Sequence, residues 1–184
     1  MSSSIQQAVD AVRDGGVIAY PTEAVYGLGC DPDNIQAVQK ILYLKQREKS
    51  KGLILIASDV EQLLPYLARL PEEAKHRVLA SWPGPFTWLW PARESTSDWL
   101  RGDFSTLAVR VSAHPLVREL CQAVGKPLVS TSANLSGQPP ARTAAEVFEQ
   151  FDDSIDFVLE GQVGPSTSPT EIRDALSGKL IRGG

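Results

Sequence analysis

The fold is indicated most clearly by residues 107–131, which read LAVRVSAHPLVRELCQAVGKPLVST. Leu107–Val111 alternates between apolar and other residues, as a half-buried strand does. Pro115 suits the first turn of a helix, and Gly125 suits the position just after its end. The apolar residues between them recur at helical spacing and are expected to face inward: Leu116, Val117, Leu120 and Val124. Because Pro127–Thr131 then forms a second strand, the segment predicts a strand–helix–strand unit of an α/β protein.

The same alternation of helices and strands extends along the rest of the chain. Helices are predicted at Ser4–Arg13 and Asn34–Leu44, and strands at Val17–Tyr20 and Leu53–Ala57, with a loop at Thr22–Asp33. Further strands are predicted at Phe86–Trp90, Phe157–Leu159, Thr170–Arg173 and Lys179–Arg182, and further helices after Ser58, Pro71 and Thr143. The pattern predicts one α/β sandwich around a mixed sheet, with a single domain spanning residues 1–184.

Composition excludes several classes of protein. The chain has 184 residues, of which 42% are hydrophobic and 22% charged, and this is ordinary for a globular domain. The longest apolar runs are far short of the roughly 20 residues that a membrane span needs. The first residues show neither the basic nor the apolar part of a secretory signal. Because no export signal is visible, we expect reduced thiols in a cytoplasmic protein. Two distant cysteines and two isolated histidines fit no metal-ligand spacing, which argues against a metal site.

Charge is distributed unevenly along the chain. The formal net charge is −4, but residues 143–172 contain seven acidic residues and no basic one, so the remainder has a net charge of +3. Residues 40–51 contain five basic residues and one acidic residue. Local fields rather than net charge attract anions, so residues 40–51 are the predicted anion-binding segment.

Two polar segments are candidates for phosphate binding, although no known glycine-rich phosphate loop is present. Lys45 and Arg47, with Lys51 nearby, follow a helix on a predicted loop, where both could face one anion. The alternative is a solvated helix end, where basic residues complement the helix dipole. Residues 130–137, STSANLSG, leave a buried strand with several hydroxyls and an amide. They could bind phosphate, or simply form a capped turn. Neither histidine is placed to act as a base for Ser130 or Ser132.

A third candidate is the segment Tyr20–Gly29, YPTEAVYGLG, where a buried strand again ends in a loop with hydroxyls. Its alternative is an ordinary crossover. The aromatic residues Phe86, Trp88 and Trp90 share one strand face, where they could stack on nucleic-acid bases. A stripe of core residues explains the same spacing.

These segments together resemble the YrdC/TsaC family, the threonylcarbamoyl-AMP synthases. The resemblance rests on Tyr20–Gly29, on Leu44–Arg47 with Lys51, on WPGPFT at 82–87, on Leu107–Val111 followed by His114-Pro115, and on residues 130–137. Their order and spacing match over nearly the whole chain. The resemblance is to the short, single-domain bacterial type.

The resemblance implies a fold, a reaction and a set of partners. The fold would be a twisted, mixed-sheet sandwich of the YrdC type with a concave basic face. The reaction would join L-threonine, bicarbonate and ATP, with Mg²⁺, into threonylcarbamoyl-AMP and release pyrophosphate. The product would pass to a downstream transferase complex that modifies adenosine 37 of tRNAs reading ANN codons.

The resemblance also implies roles for individual residues. The ATP phosphates would be bound by the catalytic residues Lys45, Arg47 and Lys51. Other residues on the ATP side would be Thr106, Asn134, Arg142 and Arg182. Threonine would be held by Thr22, Tyr26, Arg110, Ser132 and Thr170. The resemblance names no metal ligand. The alternative function is a non-enzymatic RNA-binding factor in rRNA maturation that uses the same basic surface, and weak binding of tRNA or double-stranded RNA is compatible with either function.

Overall fold

A computed structural model describes residues 1–183; Gly184, the last residue of the predicted domain, lies outside the described residues. The helices are α1 (Ser3–Arg13), α2 (Ile35–Lys45), α3 (Glu72–Ser81), α4 (Asp98–Arg101), α5 (Pro115–Val124) and α6 (Ala144–Phe151). The strands are β1 (Ile18–Pro21), β2 (Tyr26–Gly29), β3 (Ile54–Ala57), β4 (Phe86–Pro91), β5 (Thr106–Val111), β6 (Leu128–Ser132), β7 (Phe157–Val158), β8 (Glu171–Asp174) and β9 (Leu180–Arg182). None of the described helices is long and apolar enough to cross a membrane.

The strands form one mixed sheet in the order β7-β1-β2-β6-β3-β5-β4-β8-β9. The pairs β1–β7, β3–β5 and β4–β8 are parallel, and the remaining neighbours are antiparallel. The predicted strand–helix–strand unit is present, but β5 and β6 are not neighbours, because β3 lies between them. The predicted α/β sandwich around a mixed sheet is confirmed.

Helices pack on both faces of the sheet. Helices α1 and α5 cover one face, where their apolar sides meet Ile18, Tyr20 and Ile56. The larger core lies on the other face and includes buried residues of α2, α3, α4 and α6. Trp88 and Trp90 belong to this core with 3% and 1% of their surface exposed, so they cannot stack on nucleic-acid bases. The core interpretation of this aromatic stripe is therefore confirmed.

Three local predictions were wrong. The predicted loop Thr22–Asp33 contains strand β2, because this Gly-rich segment lies between β1 and β6 and its backbone is paired with both. The helical turn after Ser58 is a 3₁₀ turn capped by Asp59, whose carboxylate accepts from the Gln62 amide. Lys45 is the last residue of α2 rather than part of a loop. Helix α4 was not predicted at all, since four residues are too few to show a period.

Candidate active site

The end of α2 determines where the two central basic residues point. Gln46 adopts a left-handed conformation with φ of 50°, and the Arg47 amide donates to the Leu42 carbonyl at 2.9 Å. This arrangement is a frequent way to end a helix, although glycine is the usual residue at the left-handed position. The chain reverses between Lys45 and Arg47, so the two side chains leave the helix end in fixed directions.

Lys45 joins the basic segment to the polar end of β6. Its ammonium donates to the Ser132 carbonyl at 2.6 Å and to Asn134 Oδ1 at 2.8 Å, and lies 3.3 Å from Ser132 Oγ. The Ser132 hydroxyl donates to Asn134 Oδ1 at 2.6 Å. Burial, and then the neighbouring Arg47 charge, lower the pKa of Lys45 to about 8. Two of the predicted phosphate-binding segments therefore meet at one ammonium group, and the long contact to Ser132 Oγ is the one that a ligand oxygen could replace most easily.

Arg47 lies near a second basic residue, Arg182, and neither of them forms a described ion pair with a carboxylate. Its Nε and Nη2 both donate to the Gly52 carbonyl, at 3.2 and 2.9 Å, and Nη1 is left for another acceptor. Burial and the nearby Arg182 charge lower the pKa of Arg47. Within residues 1–183, none of the ion pairs involves Lys45, Arg47 or Arg182. Uncompensated cations at close range favour binding of an anion.

Three other residues expected on the ATP side are Thr106, Lys51 and Arg142. Thr106 is half-buried at the start of β5, whereas Lys51 and Arg142 are exposed. Arg142 Nη1 lies 3.5 Å from the Ser166 carbonyl, which is the limit of hydrogen-bond distance. Lys51 lies in a 3₁₀ turn. These three residues have no contact with Lys45 or Arg47 among the described hydrogen bonds, and their roles stay predictions.

Strand β5 connects the two expected subsites. Thr106, Ala108 and Arg110 share one face of the strand, because side chains alternate. The helices on this face, α1 and α5, mainly contact β1, β3 and β7. Ala108 and the residues paired with it, Ile54 and Leu89, are only half-buried, so this part of the face is accessible. Four residues along a strand span about 13 Å, so Thr106 and Arg110 could contact opposite ends of one extended ligand.

Arg110 is nearly buried beside an acidic residue that the sequence did not single out. Arg110 is 6% exposed and Glu23 is 8% exposed, with Arg110 Nη2 3.7 Å from Glu23 Oε2. This distance is too long for a hydrogen bond, and both Arg110 Nε and Glu23 Oε2 are buried without a described partner. Burial alone would raise the pKa of Glu23, but the Arg110 charge and hydrogen bonds from Ser112 and Ala113 hold that pKa below its usual value.

Thr22 lies close to the end of β6. Its hydroxyl donates to the Val25 carbonyl at 2.7 Å, which leaves its oxygen lone pairs as acceptors. A side chain at Gly27 would come within 3.3 Å of Ser130 Oγ and 3.5 Å of the Thr22 methyl group. Gly27, paired with Ser132, therefore keeps a small space open between Thr22, which follows β1, and Ser130 of β6.

Thr170 forms a pair with a residue that sequence reasoning also missed. The Thr87 and Thr170 hydroxyl oxygens are 3.2 Å apart, and Thr87 is fully buried. Because only one of the two hydroxyls donates in this contact, the other retains an unused donor. Arg182 Nη2 donates to the Thr170 carbonyl at 3.2 Å, which links this pair to the basic residues.

Tyr26 is placed differently from the expected threonine-binding role. It is fully buried on the large-core face, and its hydroxyl donates to the Gly161 carbonyl at 2.7 Å and accepts from the Gly161 amide. His114 contacts Gln162, which follows Gly161 in the chain: its Nε2 lies 2.8 Å from the Gln162 carbonyl oxygen. The other ring nitrogen, Nδ1, accepts a hydrogen bond from the Leu116 amide. Both ring nitrogens are occupied, so His114 is not available as a base. Tyr26 and His114 fasten the start of the surface loop Gly161–Thr170.

A family model described as "Telomere recombination", covering Sua5, YciO and YrdC proteins, matches residues 10–184. The chain belongs to the Sua5/YciO/YrdC family. Similar curated members are named threonylcarbamoyl-AMP synthase. One from Klebsiella pneumoniae is 56% identical over 100% of this chain and 97% of its own length. Another, from Vibrio campbellii, is 52% identical over 98% of this chain and 99% of its own length.

Solved structures of the family share the fold. P. abyssi Sua5 complexed with L-threonine has a TM-score of 0.87 and 33% identity over 92% of this chain, which spans half of that protein. E. coli YciO has a TM-score of 0.81 and 26% identity, over 97% of this chain and 90% of the other. The expected family fold is therefore confirmed, whereas the concave basic face stays a prediction.

Proposed function

We propose that this chain is a threonylcarbamoyl-AMP synthase that uses L-threonine, bicarbonate and ATP. The observation on which the proposal depends is the identity of 51–56% over nearly the whole chain with curated proteins of that name. The structure adds two features: basic groups without described ion pairs at Lys45 and Arg47, and a nearly buried arginine, Arg110, beside Glu23. A non-enzymatic RNA-binding factor would not need that second group, and the relatives do not favour this alternative.

The proposed reaction assigns each group a task. Arg110 forms a bidentate pair with the threonine carboxylate, which a guanidinium fits better than an ammonium does. The amine combines with bicarbonate, with loss of water, to give a carbamate. A carbamate oxygen then attacks the α-phosphorus of ATP, and the bond to the bridging oxygen of pyrophosphate breaks. Lys45 and Arg47 stabilise the negative charge on the phosphate oxygens as the leaving group departs.

ATP would bring its Mg²⁺ as part of the substrate. Within residues 1–183 no cluster of three or more His, Cys, Asp or Glu side chains could hold a metal ion. Magnesium often keeps several waters and uses substrate phosphates as ligands, which suits a site made of cations and neutral oxygens. The bound ion would neutralise phosphate charge, and Ser132 and Asn134, which contact Lys45, would offer it neutral side-chain oxygens.

Pyrophosphate release tests the function. The full chain should release pyrophosphate from Mg·ATP only when both threonine and bicarbonate are present. Omission of either substrate should reduce release to the background rate. Release that needs neither would indicate ATP hydrolysis and would contradict the proposal.

Replacement of Arg47 by alanine should slow the reaction strongly. Loss of a preorganised donor to the developing phosphate charge costs about 2–4 kcal/mol of transition-state stabilisation. Arg47 also donates to the Gly52 carbonyl, so a stability loss of about 1 kcal/mol is expected. Steady-state kinetics and thermal unfolding separate the two effects. Arg77→Ala is the matched control, since Arg77 also donates to backbone carbonyls but lies on α3. A wild-type rate in Arg47→Ala would refute the phosphate role.

The lowered pKa of Lys45 predicts a pH dependence. The ammonium is charged below pH 8 and loses its proton above it, so kcat/KM for ATP should fall above about pH 8. Lys45→Arg keeps its charge across this range and should remove the alkaline decline, even if its activity is lower. Lys49→Arg, at an exposed pair with Asp98, should retain the decline. A decline that persists unchanged in Lys45→Arg would assign it to another group.

The basic segment, residues 40–51, also supports a proposal about RNA. We propose that tRNA or double-stranded RNA binds weakly at residues 40–51 and that a downstream transferase complex receives the product. Such binding should fall steeply with ionic strength, because phosphate contacts release counterions.

A further inference from the structure

Glu23 connects several parts of the candidate active site. It lies in the turn between β1 and β2, directly after Thr22. One carboxylate oxygen accepts from the Ser112 hydroxyl and from the Ala113 amide at 3.1 Å, and these residues follow β5. The other oxygen faces Arg110 Nη2 at 3.7 Å. The carboxylate is therefore fixed to the turn after β5 and lies against the guanidinium carried by β5 itself.

The backbone around Glu23 also holds the surface loop. The Gly164 amide donates to the Thr22 carbonyl at 2.8 Å, and the Ser166 amide donates to the Glu23 carbonyl at 3.2 Å. A side chain at Gly164 would lie 2.6 Å from the Glu23 carbonyl oxygen, so the two backbones are in close contact. The loop that ends at Thr170 and the Arg110 side chain thus meet at one residue.

A direct contact between Glu23 and substrate is not supported by its burial. Its free oxygen has essentially no accessible surface, whereas buried charges normally have full hydrogen-bond partners. Neither Glu23 Oε2 nor Arg110 Nε has a hydrogen-bond partner in the described structure. The guanidinium is therefore held near Glu23 by the attraction between opposite charges rather than by a hydrogen bond. Arg110 Nη1 and Nη2, unlike Nε, are not among the buried atoms without a partner, and they make no described hydrogen bond, so they stay free for a carboxylate.

We propose that Glu23 is a positioning residue, which orients the Arg110 guanidinium for the carboxylate of the amino-acid substrate. The inference rests on the proposed function, in which Arg110 binds that carboxylate. Because Glu23 is fixed from behind by Ser112 and Ala113, it limits the directions that the guanidinium can take. A small misplacement of such a group is enough to reduce substrate use strongly.

Glu23→Gln tests the inference because it removes the charge and keeps the shape. We expect KM for threonine to rise about 10- to 100-fold, with KM for ATP within about twofold of wild type. Glu23→Asp should recover part of the loss. Ser112→Ala, which releases the carboxylate, should shift KM for threonine in the same direction and provides the test if Glu23→Gln does not fold. Glu149→Gln, an exposed charge on α6, is the control.

A double-mutant cycle separates positioning from a general structural role. If Glu23 acts through Arg110, adding Glu23→Gln to Arg110→Ala should cause no further loss of threonine use. The double variant should also have a higher thermal midpoint than Arg110→Ala alone, because the buried charge left unpaired by that change is removed. Additive losses would overturn the inference. So would a normal KM for threonine in Glu23→Gln while Arg110→Ala is impaired. A wild-type chain that makes no pyrophosphate with threonine would instead overturn the proposed function.

Discussion

Valine should be used about 10⁴-fold less efficiently than threonine, although the two side chains have nearly the same shape. A site built to hydrogen-bond a substrate hydroxyl rejects an analogue without it by this order, since its polar groups stay unpaired. The Thr87–Thr170 pair has an unused donor, and Thr22 retains acceptor lone pairs. Serine lacks only a methyl group and should lose about 10- to 200-fold. The comparison is of kcat/KM for the three amino acids.

Variants of the surface loop refine this prediction. Thr170→Val should narrow the difference between threonine and valine, because it removes one member of the hydroxyl pair. Thr167→Val, an exposed position on the same loop, should leave the difference unchanged. Equal rates with serine and valine would show that hydroxyl recognition does not select the substrate.

Replacement of Arg110 by alanine should impair use of all three amino acids together. Removal of one partner from a desolvated charge pair costs about 2–5 kcal/mol in binding, or about 30- to 5,000-fold in kcat/KM. The same change leaves Glu23 buried without its cation and should lower the free energy of unfolding by about 3–5 kcal/mol. Kinetics below the thermal midpoint distinguish these losses.

Arg118 offers a matched control for this variant. It is half-buried on α5 and donates to the Ser112 carbonyl at 3.2 Å, but it faces no acidic partner among the described ion pairs. Arg118→Ala should retain threonine use. If Arg110→Ala impaired ATP binding alone, Arg110 would belong to the nucleotide side.

Periodicity was enough to predict most of the fold. Strongly periodic segments such as α5 and β5 have apolar residues whose spacing allows one arrangement, and their predicted bounds differ from the structure by at most one residue. Strand β2 was missed because its two glycines and the polar residues just before it, Thr22 and Glu23, are typical of a loop. Its strand conformation comes from pairing with β1 and β6, which local sequence does not show.

The candidate site was predictable only where charge or hydroxyls clustered in the sequence. Lys45, Ser132 and Asn134 belong to two such clusters, and the structure joins them. Glu23 and Thr87 are single polar residues whose partners lie 87 and 83 residues away in sequence, so no local pattern marks them. Tyr26 was expected to face the substrate, but the alternation of β2 turns its side chain into the core.

The most direct test follows carbon from labelled bicarbonate. The full chain is incubated with Mg·ATP, L-threonine and ¹³C-bicarbonate, and the adenylates are analysed by mass spectrometry. We expect an adenylate that contains both threonine and one ¹³C atom, formed together with pyrophosphate. An adenylate of threonine without the label, or AMP alone, would contradict it.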